Sequence, residues 1–235
     1  MTRSHVNSSP PQGLQGKRPY RVRVWDLSTR LFHWLLVLLV TISFVTGKLG
    51  GTAMQYHEWS GAAILVLVFF RVLWGFVGGM PSRFATFMRG PRKVFDYARS
   101  LLGKGHDPYL GHNPMGAWSI VAMLTALLVQ AGTGLFANDD ILTEGPLFHL
   151  ISKEASDWLT RIHHFNQNIL IALVVLHLGA IIFYWVVKRE NLVLPMITGR
   201  KSWHEAVASA KGSTTLALFL VAALAGIFYL LLYRL

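Results

Sequence analysis

Five stretches of this chain are apolar for long enough to cross a lipid bilayer, and that constrains the fold more than any other feature. They run from Leu31 to about Gly47, from about His57 to Gly78, from Met115 to about Phe136, from Ile162 to Val187, and from about Ser213 to Tyr233. A span needs about 20 largely apolar residues. Inside hydrocarbon every backbone N–H and C=O must be satisfied within the segment, so each run is expected as an α-helix. A chain with 53% hydrophobic and only 14% charged residues is too apolar for an ordinary soluble domain. The fold class expected is an all-α integral membrane protein, with four helices forming a bundle and a fifth transmembrane helix added.

Lys and Arg set the orientation. Six lie before the first span (Arg3, Lys17, Arg18, Arg21, Arg23, Arg30), and six between the second and third (Arg83, Arg89, Arg92, Lys93, Arg99, Lys104). Five more lie between the fourth and fifth (Lys188, Arg189, Arg200, Lys201, Lys211). The opposite side holds only Lys48, Lys153, Arg161 and Arg234. The bias predicts an N-terminus in the cytoplasm and a C-terminus outside. The net charge of +11 is read as topology and anionic-lipid contact, and nucleic-acid binding is not expected. Residues 1–20 are polar and rich in Ser, Pro and Gly, which reads as a disordered tail. Between Arg83 and Leu102 apolar residues recur at helical spacing among basic ones, predicting an amphipathic helix on the cytoplasmic leaflet, broken near Pro91. Asp26 or Ser28 is expected to cap the first span. The outer connection 137–160 is acidic, and suits either a solvated face or docking of a basic periplasmic partner. No internal repeat stands out. Seven tryptophans, Trp25, Trp34, Trp59, Trp74, Trp118, Trp158 and Trp185, fall where an interfacial belt is expected.

The chemistry rests on histidine. The chain has no cysteine, which removes disulfides, iron–sulfur clusters, thiolate zinc sites and covalent c-type haem. His163 and His177 lie fourteen residues apart on the fourth span. On a helix they share a face to within about 40° and stand roughly 21 Å apart along the axis. Depth pairs them with histidines of other spans: His57 with His163 at the outer level, and His33 with His177 at the inner one. A lone intramembrane imidazole is often only an inter-helix hydrogen-bonding group. Four that pair by depth point to two metal centres. Zinc asks for two further ligands per site, and Glu58 is the one carboxylate close in sequence. Haem iron asks for two axial nitrogens only, so two b haems fit better.

Arg71 lies fourteen residues after His57 and is expected either to hold a haem propionate or to snorkel to the inner interface. His164 points about 100° from His163 and suits a contact near the haem or its propionates, unless it replaces His163 as ligand. His112, at the start of the third span, suits a quinone or propionate contact or a helix-start polar residue. Gly61, Ala62, Ala63, Gly132 and Gly134 permit close approach of a helix or a macrocycle.

The stretches RVWDLSTRLFHWLL, YHEWSGAAILVLVFFRVLWGFVG, RFATFMRGPRKVFDYARSLLGKGHDPYLGHNPMGAWSI and RIHHFNQNILIALVVLHL resemble the prokaryotic cytochrome b561 superfamily. The resemblance is closer to the di-haem cytochrome b subunits that anchor nickel–iron hydrogenases, and to the membrane subunit of formate dehydrogenase-N. It covers about residues 21–200, and implies a di-haem domain there, with 201–235 a linker and an extra helix. It implies axial ligands His33, His57, His163 and His177, and a bacterial inner-membrane location. The implied electron route lies between membrane quinone and a periplasmic redox partner, for example a c-type cytochrome or an enzyme subunit. The resemblance leaves open a homodimer, and whether the chain itself turns over quinone. A passive haem-containing anchor, and a haem-free metal or proton transporter, are the competing readings.

Overall fold

Asp26 starts the first span, and its carboxylate shows how closely the helix ends are specified. In the computed structural model, which describes residues 20–101, 109–205, 207 and 212–234, Asp26 Oδ1 accepts from Thr29 N at 2.7 Å. The helix it caps, α1, runs Leu27–Leu49 and ends at Gly50, whose φ of 64° suits glycine. The chain then turns through a short 3₁₀ segment into α2 (Met54–Val77). Two short helices follow, α3 (Phe84–Phe87) and α4 (Pro91–Leu101). The third span, α5 (Pro114–Gly134), has Asn113 as its cap, accepting from Gly116 N at 2.7 Å, with Pro114 at the first helical position. The fourth, α6, runs Lys153–Val186; a small helix α7 (Val193–Thr198) precedes the fifth span, α8 (Thr214–Tyr233). Among the described residues five helices are thus long and apolar enough to cross a membrane.

The fourth span starts earlier than its apolar run. Ser152 accepts from Ala155 N at 3.3 Å, and Lys153 pairs with Asp157 one turn on, so nine polar-rich residues join the helix before Ile162. At 34 residues α6 is about 51 Å long, well beyond the roughly 30 Å hydrocarbon layer, so its polar start projects outside. The loop before it is fastened down. Asp139 Oδ1 accepts from the backbone N–H groups of Ile141, Leu142 and Thr143 at 3.0, 2.9 and 2.8 Å. These bonds hold its carboxyl well below the usual carboxylate range. Asn138 ties the loop to Ser156 and Asp157 of α6.

The span α2 is the centre of the bundle. It packs on α1, α5 and α8, while α6 packs chiefly on α5. Phe32, Ile64, Val68, Phe70, Trp74, Leu124, Leu127 and Ala217 form the shared core. The fifth span lies against α2, with Phe228 5.3 Å from Phe69 between ring centres. Histidine-bearing α6 therefore lies away from α8.

Two features depart from the sequence reading. Residues Tyr20–Arg23 (β1) and Arg200–Trp203 (β2) pair antiparallel, Arg23 opposite Arg200, so the segments flanking the first four spans are clasped together. Gly199 O accepts from both Val24 N (2.9 Å) and Trp25 N (3.3 Å) to complete the clasp. The second concerns the surface helix, which is split near Pro91 as expected but turns part of its apolar face inward. Phe84 lies under the Arg71 guanidinium at 5.3 Å, and Phe87 is buried 4.8 Å from His112. Phe84 covers a buried cation there and Phe87 the His112 ring, so both turn from the bilayer surface. Further along, Phe95 on α4 stays exposed. The expected tail falls mostly on residues 1–19, which lie outside the described residues.

Candidate functional site

At one end of the bundle α2 and α6 bring His57 and His163 to 6.1 Å between ring centres, with the rings at 76°. His57 Nδ1 is 2.8 Å from the Ser43 carbonyl on α1, and His163 Nδ1 is 2.9 Å from the Gln130 carbonyl on α5. A carbonyl oxygen can only accept, so both Nδ1 atoms carry the proton. Each Nε2 then keeps its lone pair and is the atom free to bind a metal. Asn166, one turn beyond His163, donates to Ala126 O and Gln130 Oε1, both at 2.8 Å, and fixes the register of α6 on α5.

At the other end α1 and α6 bring His33 and His177 to 6.5 Å between ring centres, at 51°. His33 Nδ1 is buried with no hydrogen-bond partner. Around this pair lies a buried polar group of a different kind. Arg71 is 3% exposed, so it does not snorkel, and one terminal nitrogen has no partner. Asp26, 4% exposed, is within electrostatic reach of it, and itself accepts from the Trp74 indole N–H at 3.1 Å. His112 is wedged between Trp25 and Phe87, 4.5 and 4.8 Å away, its Nδ1 buried without a partner. It is not the helix cap, a role Asn113 fills.

Two imidazoles joined through one metal at bonds of roughly 2 Å each stand about 6 Å apart between ring centres. Both ring pairs meet that spacing. Among the described residues no three His, Asp or Glu side chains converge, so a tetrahedral zinc site is not assembled. Two facing nitrogens per site, with the remaining equatorial bonds left to a porphyrin, are what a b haem uses. A buried guanidinium with an unpartnered nitrogen, within reach of the same His112 that His177 influences, stands at that pair's end and suits the anionic edge of such a group.

A family model described as prokaryotic cytochrome b561 matches residues 24–199, about three quarters of the chain and a range within which the four paired histidines fall. The chain belongs to the prokaryotic cytochrome b561 family. It is a multi-pass membrane protein of electron transport, and membership of the b561 family implies b-type haem. Relatives agree over most of the sequence. One from Bradyrhizobium diazoefficiens is 24% identical over 78% of this chain and 87% of its own length. One from Rhodobacter capsulatus is 23% identical over 80% and 84%, and one from Rhizobium leguminosarum bv. viciae 23% over 78% and 90%. Each is described as a "probable Ni/Fe-hydrogenase B-type cytochrome subunit". No solved structure matches this chain.

Within this cytochrome b561 bundle the remaining candidates are sorted by position. His164 is exposed on α6, its ring 6.1 Å from that of His163 and at 81° to it. Trp34, Trp59, Trp118, Trp158 and Trp185 are exposed, as a belt requires, but Trp25 and Trp74 are core residues at 8% and 0% exposure. Trp74 is held inside by its bond to Asp26. Of the small residues, Gly134 lies against the His163 ring, whereas a side chain at Gly61 or Gly132 would meet no other residue within 4 Å. Gly47, which lies against His57 in the same way, was not singled out from the sequence. Asp26 was read only as a cap; its place in a run of polar residues before an apolar span gives no signal of a buried partner.

Proposed function

We propose that this protein is a di-haem b-type cytochrome that carries single electrons across the inner membrane, between the quinone pool and a redox partner on the outer face. The observation that carries the reading is the two histidine ring pairs, 6.1 and 6.5 Å between centres, at opposite ends of one four-helix bundle. His57 and His163 would hold one haem and His33 and His177 the other. Bound there, each haem supplies a one-electron iron couple.

The chain's own residues do the rest. The helices fix the separation of the two centres: fourteen residues of α6 give roughly 21 Å from His163 to His177. Ser43 and Gln130 carbonyls hold the outer imidazoles in one tautomer. Arg71 offers N–H donors to a propionate at the inner end, with Asp26 as its fixed counter-charge. The apolar faces of α1 and α6, exposed along their length, keep water from both centres once lipid or macrocycle covers them. His164 stands at the outer rim, and His112 beside the inner pair, where a propionate or quinone headgroup would meet it.

The charge bias supports a cytoplasmic N-terminus and an outer C-terminus. The partner is then a periplasmic protein, a c-type cytochrome or an enzyme subunit. The descriptions of the relatives favour an enzyme subunit of the hydrogenase kind. Residues 21–200 would form the haem domain, with α8 an added span packed on α2.

A dithionite-reduced minus oxidised spectrum of the purified chain, with haem extraction, tests the reading. The expected result is b-type bands and two haems per chain. His177→Ala should halve the haem content, and His163→Ala should remove the other half. Haem-free protein, or no loss in either variant, would refute it.

A further inference from the structure

Two glycines of this bundle are built into the ring pairs in the same way. On α1, Ser43-Phe44-Val45-Thr46-Gly47 presents the Ser43 carbonyl to His57 Nδ1. On α5, Gln130-Ala131-Gly132-Thr133-Gly134 presents the Gln130 carbonyl to His163 Nδ1. In both, the accepting carbonyl lies four residues before the glycine of a Thr-Gly pair. A helical carbonyl at position i already accepts from N–H of i+4, and the side chain at i+4 normally stands over it. Glycine leaves that carbonyl's second lone pair open to an incoming ring.

The space is strict. A Cβ at Gly47 would come 2.8 Å from His57 Nδ1, and a Cβ at Gly134 would come 2.9 Å from Cε1 and 3.2 Å from Nδ1 of His163. Both threonines turn their hydroxyls chiefly back to their own helices, Thr46 to Ile42 O and Thr133 to Val129 O at 2.7 and 2.6 Å, with longer contacts to Ser43 O (3.3 Å) and Gln130 O (3.1 Å); Thr133 Oγ1 is also 3.4 Å from His163 Nδ1. The carbonyl is left as the shortest contact of each ring. His33 is different: its Nδ1 is buried and meets nothing.

We propose that Gly47 and Gly134 are positioning residues, matched seats that tie His57 and His163 to backbone carbonyls and so poise the metal centre between them at a lower reduction potential than the one between His33 and His177. The proposal rests on the di-haem reading. A hydrogen bond from Nδ1–H to a carbonyl makes the imidazole a stronger donor and favours the oxidised metal. Electrostatics acts the same way. The buried Arg71 cation stands at the His33/His177 end and favours the reduced form there, by an amount that its buried counter-charge Asp26 lessens. The loop beyond the His57/His163 end carries Asp139, Asp140 and Glu144, of which Asp140 is paired with Lys153. The electron is therefore held more tightly at the inner centre.

The test is a spectroscopic redox titration of the full chain with its haems bound. Wild type should give two midpoint potentials, and His177→Ala, which keeps only the outer centre, should retain the lower one. Gly47→Ala and Gly134→Ala should each raise that lower potential, or lose that haem, while the higher one stays put. Ser43→Ala removes a hydroxyl 3.2 Å from Nδ1 but keeps the carbonyl, and should shift the lower potential by less than Gly47→Ala does. Retention of the higher potential in His177→Ala would overturn the proposal. So would a glycine variant that moves only the higher potential or neither, or a Ser43→Ala shift as large as that of Gly47→Ala. Absence of two haems from the wild type would instead remove the di-haem reading itself.

Discussion

Asp26 is one carboxylate with several structural duties. It caps α1 through Thr29 N, accepts the Trp74 indole N–H, takes a longer contact of 3.5 Å from Ser82 Oγ, and balances Arg71. Loss of an N-cap costs about 1 kcal/mol. An orphaned buried donor costs about 1–3 kcal/mol, so the stranded indole outweighs the cap. Asp26→Ala is expected to lower stability by about 2–4 kcal/mol, read as an earlier midpoint in denaturant titration of the detergent-solubilised protein. Asp26→Asn keeps an acceptor and a good cap; its loss should be at most half as large if hydrogen bonding dominates over charge. At this scale the histidine spacing is legible, and so is Gly134 as a point of close approach, whereas Gly47 is not. A fourteen-residue spacing maps directly onto helix periodicity, so His163 and His177 could be placed on one face from the sequence. The fit of Gly47 to His57 depends on how closely two helices approach, and no periodicity carries that distance.

Helices and loops follow local rules wherever the rule is strong. Asn113 with Pro114, and Ser213 accepting from Leu216 N, mark helix starts that the sequence places within a residue or two. The start of α6 was missed by nine residues because hydropathy fades before helicity does. The β1–β2 clasp was missed because the alternation Arg21-Val22-Arg23-Val24 is short and its partner lies beyond four spans. Its weak point is Gly199, whose φ of 77° and close approach to Trp25 O leave no room for a side chain. Gly199→Ala should strain the backbone by about 1–3 kcal/mol and loosen the clasp first, seen as faster amide exchange at Val24 and Trp25. Across α5 and α6 the tie is Asn166. Interhelical hydrogen bonds in membranes are worth about 0.6–2 kcal/mol, so Asn166→Leu should lower stability by that order while leaving haem content near two per chain. The Asp139 loop has a pH signature. Its carboxyl is held below the ordinary value by three backbone N–H groups, so its contribution is present above about pH 4. It is lost only as the pH falls through the lowered value; exchange at Ile141, Leu142 and Thr143 should therefore accelerate in strong acid and not between pH 5 and 8.

Over the whole molecule, charge and clasp act together to set the protein in its membrane. The β1–β2 pairing gathers Arg21, Arg23, Arg200 and Lys201 at the end of the bundle where Arg71 is buried, with Arg23 directly opposite Arg200. Like charges facing across strands destabilise each other by a few tenths of a kcal/mol or more in water. Among the described residues only Lys201 of this group has a carboxylate partner, Glu190 at 2.6 Å, and an anionic lipid surface would suit the other three cations. Near such a surface each is worth about 1 kcal/mol. The same four residues count toward the positive-inside bias, so the fold concentrates at one point a signal that the sequence spreads over two distant segments. Two consequences are measurable. A reporter active only outside the cytoplasm should work when fused after Arg234, and one active only inside should work at the N-terminus; the reverse pattern would invert the assigned orientation. Replacing Arg21, Arg23 and Arg200 by Gln should leave the haem spectrum intact, because none touches a ring pair, while weakening binding of the purified chain to vesicles rich in phosphatidylglycerol over neutral ones. If the triple variant instead lost a haem, the clasp would be part of the site and not only its mooring.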